Sequence, residues 1–198
     1  SFKYGATREY VRRLQVVLSD GEVVNIRRCE HAAQNGLIQV TTDTGCSIDV
    51  KVPGYERPNV RKNVSGYFNA SPLDAIDLFI GSEGTLGVIT EIELSLLPKP
   101  ESFFSGIVFF ADQADLLAFV DEARAISISN LRSEISNSFG ASLIEYFDGR
   151  ALNFISEKFP ETPENMAGGI FFEQETTAAN EDELFERWNS LLEKHNAD

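Results

Sequence analysis

The chain has 198 residues, of which 42% are hydrophobic and 24% are charged, a balance typical of a globular protein rather than a disordered one. Its formal net charge of −14 argues against a nucleic-acid partner and against an anionic membrane surface, because either would repel it. No apolar run approaches the roughly 18 to 20 residues that a membrane span needs, and no signal-peptide pattern is present. We therefore expect a cytoplasmic protein without a transmembrane segment, free or peripheral to a membrane in its full-length form.

The acidic residues are concentrated in the second half of the chain. Through Leu97 there are ten Lys and Arg against twelve Asp and Glu, and from Pro98 onward there are seven against nineteen. Pro98-Lys99-Pro100 is a stiff, extended connector of the kind found between domains, because proline fixes φ and removes a donor. We expect one domain in residues 1–97 and a second, with acidic and solvated helix faces, in residues 98–198.

Cysteine and histidine give no sign of a metal site. Cys29 and Cys46 form no CxxC motif and have no histidine pair at ligand spacing, so neither a zinc site nor a redox motif is predicted. His31 and His195 stand alone among polar residues and are not expected to be catalytic.

The first predicted element is a β-hairpin. Val11 to Leu18 and Glu22 to Ile26 are rich in β-branched and aliphatic residues and flank Asp20-Gly21, a strong hairpin signal. Partial alternation in the first strand predicts that one of its faces enters a core. Four arginines at the strand ends are interpreted as a solvated rim rather than a binding patch: Arg12, Arg13, Arg27 and Arg28.

Residues 29–70 are the least regular part of the sequence. Short strands are predicted at Leu37 to Thr41 and at Ser47 to Val52, with glycine and proline interrupting longer elements. A loop this long inside a compact domain is often functional, and Lys62 and Asn63 are its polar candidates. The alternative is an exposed loop lysine that contributes only solubility.

A short, buried helix is predicted next. Residues 71–74, Ser-Pro-Leu-Asp, supply a hydroxyl N-cap, a proline at the first helical position and an acid three residues after the cap. Gly81 is the expected C-terminal stop, so the helix aims the loop that follows it. One face of this helix is expected to carry Leu73, Ile76, Asp77 and Ile80.

Glycines recur at intervals of three in residues 81–90, which read GSEGTLGVIT. Such spacing before a run of β-branched residues predicts a backbone that approaches another group closely before it enters a buried strand. A ligand whose phosphate or ring oxygens meet backbone N–H groups is one interpretation. A tight turn with a bulge between two core elements is the other.

From Gly84 to Leu97 the pattern predicts one long strand, and beyond Pro98 strands alternate with helices. This alternation predicts an α+β fold in which helices cover one face of a sheet, with Trp188 packing the last helix against it. The predicted strands are Phe103 to Phe110, Ser142 to Tyr146 and Gly168 to Gln174. The predicted helices are Asp112 to Ile126, Asp148 to Phe159 and Asn180 to Lys194.

Residues 77–91, DLFIGSEGTLGVITE, together with Leu-Leu-Pro at 96–98, resemble the signature of the FAD-linked oxidases of the vanillyl-alcohol-oxidase type. The branch that the segment resembles most holds D-lactate dehydrogenases, the glycolate oxidase FAD subunit and D-2-hydroxyglutarate dehydrogenases. The similarity continues upstream through residues 62–67 (KNVSGY) and 4–8 (YGATR), and more weakly downstream through residues 143–148 (LIEYFD).

The resemblance implies the C-terminal part of a PCMH-type FAD-binding domain in residues 1–97. It implies the first part of a ferredoxin-like α+β substrate-capping domain in residues 98–198. In the family, glycine-rich loops that hold the flavin pyrophosphate precede Tyr-Gly. The chain is therefore expected to be a fragment, inactive and weak in FAD retention by itself.

The activity implied by the resemblance is oxidation of a D-2-hydroxy acid by hydride transfer to FAD. An electron acceptor, such as an iron–sulfur module or a quinone, would then reoxidise the flavin. The base and the groups that grip the substrate come from later sequence in the family, so no catalytic residue is named. The residues matching the cofactor-binding segment, mainly through backbone atoms, are Gly81, Ser82, Glu83, Gly84, Thr85, Leu86, Gly87, Val88 and Ile89.

Other interpretations stay open. Residues 68–76 are longer than in many members and suggest a sub-branch of fused oxidoreductases with an iron–sulfur module. An alkylglycerone-phosphate-synthase-like FAD transferase carries the same glycine segment. A non-enzymatic, acidic α+β interaction module is the alternative outside enzymes.

Overall fold

The computed structural model describes residues 3–56, 58–60, 63–131 and 139–198, which form two compact units. One unit is Ala6–Leu97, and the other joins Ser1–Gly5 to Pro98–Asp198. Lys62, a candidate from the sequence, lies outside the described residues. Each unit is mixed α and β, as the sequence predicts.

The unit Ala6–Leu97 contains a three-stranded and a two-stranded antiparallel sheet. A 3-10 helix at Thr7–Tyr10 leads into the first strand, and one short α-helix packs against the sheets. In chain order the elements are β1 (Val11–Val17), β2 (Val23–Arg27), β3 (Leu37–Thr41), β4 (Ser47–Lys51), α1 (Ala75–Phe79) and β5 (Val88–Leu94). The strand order of the larger sheet is β2-β1-β5, and β3 pairs with β4.

The predicted hairpin is confirmed. Strand β1 pairs antiparallel with β2, and Leu14 lies opposite Ile26. Leu14 and Val16 alternate with more exposed neighbours and are buried, as are Val24 and Ile26 on the partner strand. The alternation in the sequence therefore places one face of the hairpin in the core of the unit.

The interpretation of the four strand-end arginines as a solvated rim is correct for three and wrong for the fourth. Arg13 pairs with Glu91 at 2.7 Å and Arg27 pairs with Glu93 at 2.9 Å on the exposed face of the sheet. Arg28, in contrast, is largely buried and lies 2.8 Å from the Asp77 carboxylate. A buried carboxylate on α1 needs a charged partner, and this need draws Arg28 inward.

The predicted start of the helix is wrong. Asp74, not Ser71, is the N-cap of α1, and its side chain accepts from the Ile76 N–H. Residues 73 and 74 are extended because they pair with residues 31–33: the Ala33 N–H donates to the Leu73 carbonyl oxygen at 2.7 Å. The predicted burial of the helix is confirmed, and Gly81 follows it with φ +83°, as a C-terminal stop requires.

The expectation of a long, buried strand after the glycines is also wrong. Strand β5 ends at Leu94, and each of its seven residues is exposed. Within the described part of the chain β5 pairs only with β1, so it is an edge of the sheet. Ile92 lies opposite the buried Leu14 yet remains 56% exposed.

The unit that includes Pro98–Asp198 is an antiparallel sheet in the order β6-β8-β7. Aromatic residues of the sheet and of two helices form its core, including Phe119, Phe172 and Trp188. The Trp188 ring is buried and lies 4.4 Å from that of Phe172, which confirms its predicted role. The elements are β6 (Ser102–Phe110), α2 (Gln113–Leu131), β7 (Leu143–Asp148), α3 (Gly149–Ser156), β8 (Gly168–Thr176) and α4 (Glu181–Lys194).

Acidification is expected to weaken the contact between α2 and the end of α4. Hydrogen bonds from Lys194 and then from His195 hold the pKa of Glu122 below its ordinary value of 4.5. The stability that these hydrogen bonds add to the folded form is therefore complete above pH 4.5. It is lost as the pH falls through the lower pKa that Glu122 has in the folded form. Urea unfolding at a series of pH values should show that the free energy of unfolding falls more steeply with decreasing pH in the wild type than in Glu122→Gln.

Candidate functional site

The chain leaves α1 at Ile80 and enters a tight turn, residues 81–87, which we call the glycine loop. Gly81, Glu83 and Gly84 have φ values of +83°, +53° and +79°, which belong to the left-handed region. Thr85 closes the turn, since its N–H donates to the Ser82 carbonyl oxygen at 3.0 Å and its hydroxyl does so at 2.7 Å. Ser82 itself is buried.

The tip of the glycine loop is open. Glu83, Gly84 and Thr85 are exposed, and a Cβ at Gly84 would meet no atom within 4 Å. No acceptor within the described ranges takes a hydrogen bond from the N–H of Glu83 or Gly84. Successive backbone donors in a turn of this conformation form a concavity suited to anionic oxygens. The loop therefore fits a ligand that carries phosphate or carbonyl oxygens.

The third glycine serves packing rather than ligand approach. Gly87 has φ +155°, and a Cβ there would lie 2.7 Å from both the Val16 Cγ1 and the Val17 carbonyl oxygen of β1. Only glycine allows β5 to start this close to β1. The two interpretations of the sequence thus apply to different ends of one loop, with open donors at the tip and a tight turn at the base.

Tyr67 connects the loop to the preceding segment of family similarity. Its hydroxyl lies 2.7 Å from the Thr85 Oγ1 and is the donor, because the single hydroxyl hydrogen of Thr85 goes to the Ser82 carbonyl oxygen. Asn63, a candidate from the sequence, instead accepts from the Ser65 N–H at 3.1 Å within its own turn. Sequence reasoning missed Tyr67 as a loop contact, although its position at the end of KNVSGY was a signal.

A cluster of Arg8, Arg28 and Asp77, the arginine–aspartate cluster, lies beneath the glycine loop. Asp77 is 8% exposed, and its two carboxylate oxygens face Arg8 at 3.1 Å and Arg28 at 2.8 Å. The Arg8 guanidinium also lies 4.0 Å from the Phe68 ring centre. The two arginines both balance the charge of the Asp77 carboxylate and donate hydrogen bonds to it, as a buried carboxylate requires.

An apolar cavity of about 150 Å³ lies between α1 and the strands β2, β3 and β4. Leu86 of the glycine loop forms part of its wall, together with Leu78 and Phe79 of α1. Because its walls are apolar, this cavity does not suit a phosphate group. The remaining lining residues are Leu18, Val24, Ile38, Val40, Ile48, Val50 and Ala75.

Neither a metal centre nor a membrane span is found in the described ranges. They contain no group of three or more His, Cys, Asp or Glu side chains placed to hold a metal ion, and Cys29 and Cys46 are free and exposed. None of the helices found there has both the length and the apolar character needed to cross a lipid bilayer.

Comparison with known proteins identifies relatives of the chain. It is 33% identical over 120 residues to a D-lactate dehydrogenase of Anaerostipes hadrus, which covers 61% of this chain and 18% of the relative. It is 35% identical over 100 residues to glycolate oxidase subunit GlcD of Bacillus subtilis, a match that covers 50% of this chain and 14% of the relative. A mitochondrial D-2-hydroxyglutarate dehydrogenase of Danio rerio is 25% identical over 192 residues. This match covers 97% of this chain and 27% of the relative.

The chain is thus similar to a D-lactate dehydrogenase, a glycolate oxidase subunit and a D-2-hydroxyglutarate dehydrogenase. This confirms the resemblance that residues 77–91 and their neighbours indicate. No protein-family model matches the chain. The chain spans less than a third of the length of each of these relatives.

The structure brings some residues of the family signature together and separates others. Glu83, Gly84 and Thr85 lie at the open tip, whereas Ser82 is buried and Gly87 packs on β1. Val88 and Ile89 are exposed at the start of β5. Arg8, which precedes the signature by about 70 positions, was missed as a neighbour of this site, and only its place in YGATR hinted at a role.

Proposed function

We propose that the chain forms part of the FAD site of an oxidoreductase that oxidises a D-2-hydroxy acid. The observation that carries the proposal is the open pair of N–H donors at Glu83 and Gly84, in the segment that resembles the family signature. The relatives support the substrate class, because their names specify D-lactate, glycolate and D-2-hydroxyglutarate. These three hydroxy acids are the candidate substrates.

In this proposal the segment Gly81–Ile89 contacts FAD mainly through its backbone. The N–H groups of Glu83 and Gly84 meet anionic or carbonyl oxygens, while Gly87 and the hydroxyl pair Tyr67 and Thr85 hold the loop in shape. When bound, FAD supplies the hydride-accepting chemistry for a carbon that bears a hydroxyl. The protein supplies the orientation.

The two units take different parts in the proposal. The unit Ala6–Leu97, which holds the glycine loop, belongs to the FAD-binding domain. The α+β unit with Pro98–Asp198 belongs to the substrate-capping domain. An electron acceptor such as an iron–sulfur module or a quinone completes the cycle.

An absorption spectrum of the whole protein tests the proposal. We expect the spectrum of an oxidised flavin, bleached without oxygen by at least one of D-lactate, glycolate and D-2-hydroxyglutarate. L-Lactate, which differs only in the hand of the reacting carbon, should bleach it far more slowly. A whole protein without flavin absorbance, or with a flavin that none of the three acids reduces, would contradict the proposal.

Gly84→Ala should weaken FAD binding through the loop tip. Gly45 in the turn between β3 and β4 is a matched control, since it has φ +90° and, like Gly84, nothing within 4 Å of an added Cβ. Each alanine carries the same left-handed strain of about 1 kcal/mol. We expect a rise of about tenfold or more in the Kd for FAD with Gly84→Ala and less than about threefold with Gly45→Ala, measured by flavin fluorescence titration. Equal effects would assign the loss to backbone strain alone.

A further inference from the structure

The Arg8 side chain reaches the point at which α1 passes into the glycine loop. Its Nη1 donates to the Asp77 carbonyl oxygen and its Nη2 to the Ile80 carbonyl oxygen, each at 2.5 Å. Ile80 is the residue directly before the loop. A Cβ at Gly81 would lie 3.8 Å from the same Nη2. One guanidinium therefore contacts the main chain on both sides of the helix end.

The end of a helix is where such a contact has most effect. The last carbonyl groups of a helix lack partners within it, and a basic side chain can satisfy them. Helix α1 has only five residues, so its own hydrogen bonds do little to fix the direction of the chain that follows it. The path of the chain into Gly81 thus depends on groups outside the helix.

Arg8 is itself held in place. Its guanidinium lies against the Phe68 ring and 3.1 Å from the Asp77 carboxylate, and its own carbonyl oxygen accepts from the Arg28 Nη2 at 2.8 Å. Its side chain is 19% exposed. A donor fixed in this way is organised before any ligand arrives, so it can hold the loop without further ordering cost.

We propose that Arg8 is the positioning residue of the glycine loop. By holding the carbonyl groups of Asp77 and Ile80, it fixes the direction in which the N–H groups of Glu83 and Gly84 point. The link to FAD rests on the proposed function, whereas the hold on the loop does not. Lysine cannot replace it, because an ammonium lacks the planar fork that reaches two carbonyl groups at once.

Arg28 provides the matched control. It contacts the same Asp77 carboxylate, but its other donors go to the carbonyl groups of Arg8 and Val11 rather than to the loop. Arg8→Lys and Arg28→Lys each remove one guanidinium from Asp77 and keep the charge. A difference between them therefore reports the contacts that Arg8 alone makes at the helix end, with the carbonyl groups of Asp77 and Ile80.

The experiment combines amide hydrogen exchange and flavin titration on the whole protein. Without FAD, Arg8→Lys should speed exchange of the Ser82 and Thr85 amides by about tenfold or more, and Arg28→Lys by less than about threefold. The Kd for FAD should rise by about tenfold or more in the first variant alone. The two variants are compared under conditions in which their melting temperatures are equal. If Arg8 only stabilised the fold, amide exchange and the Kd for FAD would then change equally in both variants.

The possible results separate the two proposals. Wild-type exchange and wild-type Kd in Arg8→Lys, or equal changes in Arg28→Lys, would overturn the role of Arg8. If Arg8→Lys does not fold, Phe68→Leu decides, since it removes the ring beside Arg8 and should speed the same two amides. If the wild type shows no affinity for FAD, the proposed function fails, but the exchange measured without FAD still decides the role of Arg8.

Discussion

Gly87→Ala should be among the most destabilising single substitutions in the unit Ala6–Leu97. The new Cβ would lie 2.7 Å from the Val17 carbonyl oxygen, a backbone atom that cannot move without shifting β1. Backbone strain of this kind costs on the order of 1 to 3 kcal/mol, and overpacking typically adds about 1 to 3. We expect the free energy of unfolding to fall by about 2 to 6 kcal/mol, a large part of the stability of a typical domain.

Urea unfolding followed by circular dichroism measures this loss, and hydrogen exchange locates it. The amides that join β1 to β5 should lose protection, while those joining β6 to β8 should keep it. Gly84→Ala is the control within the same loop, because its φ of +79° is strained but its Cβ meets open space. Its cost should be about 1 kcal/mol. Similar losses for both variants would show that the close approach of β5 to β1 is not what requires glycine.

Elements whose pattern and turn agree could be predicted from the sequence. The hairpin around Asp20-Gly21 and the strands and helices after Pro98 follow from local periodicity, turn residues and caps. The structure shows them with changes at their ends: α3 ends at Ser156 instead of Phe159, and α2 continues to Leu131 instead of ending at Ile126. Their signals lie within a few residues of each other, so no distant contact was needed to predict them.

Elements that depend on distant contacts could not be predicted. Ser71 and Pro72 form a good local helix start, but pairing of residues 73 and 74 with residues 31–33 extends the chain there and passes the cap to Asp74. The apolar residues of β5 predict burial, yet the strand is an exposed edge. At residues 73 and 74 a tertiary contact overrides a local preference that the sequence states clearly, whereas the exposure of β5 follows from its place at the edge of the sheet.

The position of the candidate site could be predicted from the sequence, but the separate roles of its residues could not. Glycine spacing indicates a constrained loop, and the structure adds that the tip exposes donors while Gly87 packs on β1. Arg8 and Asp77 are 69 positions apart, and no pattern within one sequence pairs them. Asp77 was expected on the apolar face of α1, and its burial there is what demands two arginines.

Asp77→Ala should cost about 3 to 5 kcal/mol of unfolding free energy, the usual penalty for leaving a buried charge without its partner. The carboxylate is the common partner of Arg8 and Arg28, both of which are largely buried. Asp77→Asn should cost less, because its amide oxygen still accepts one hydrogen bond. Urea unfolding of the wild type and both variants measures the difference.

A double-mutant cycle with Arg28→Met decides the origin of this cost. If the penalty comes from an unpaired guanidinium, removing Arg28 should relieve part of it. The double variant would then be more stable than the sum of the single losses predicts, by about 0.5 to 3 kcal/mol. Additive losses would mean that Asp77 contributes through the packing of α1 rather than through charge. In that case Arg8 would hold the carbonyl groups of the helix end without help from the carboxylate, and Asp77→Ala should leave the Ser82 and Thr85 amides protected.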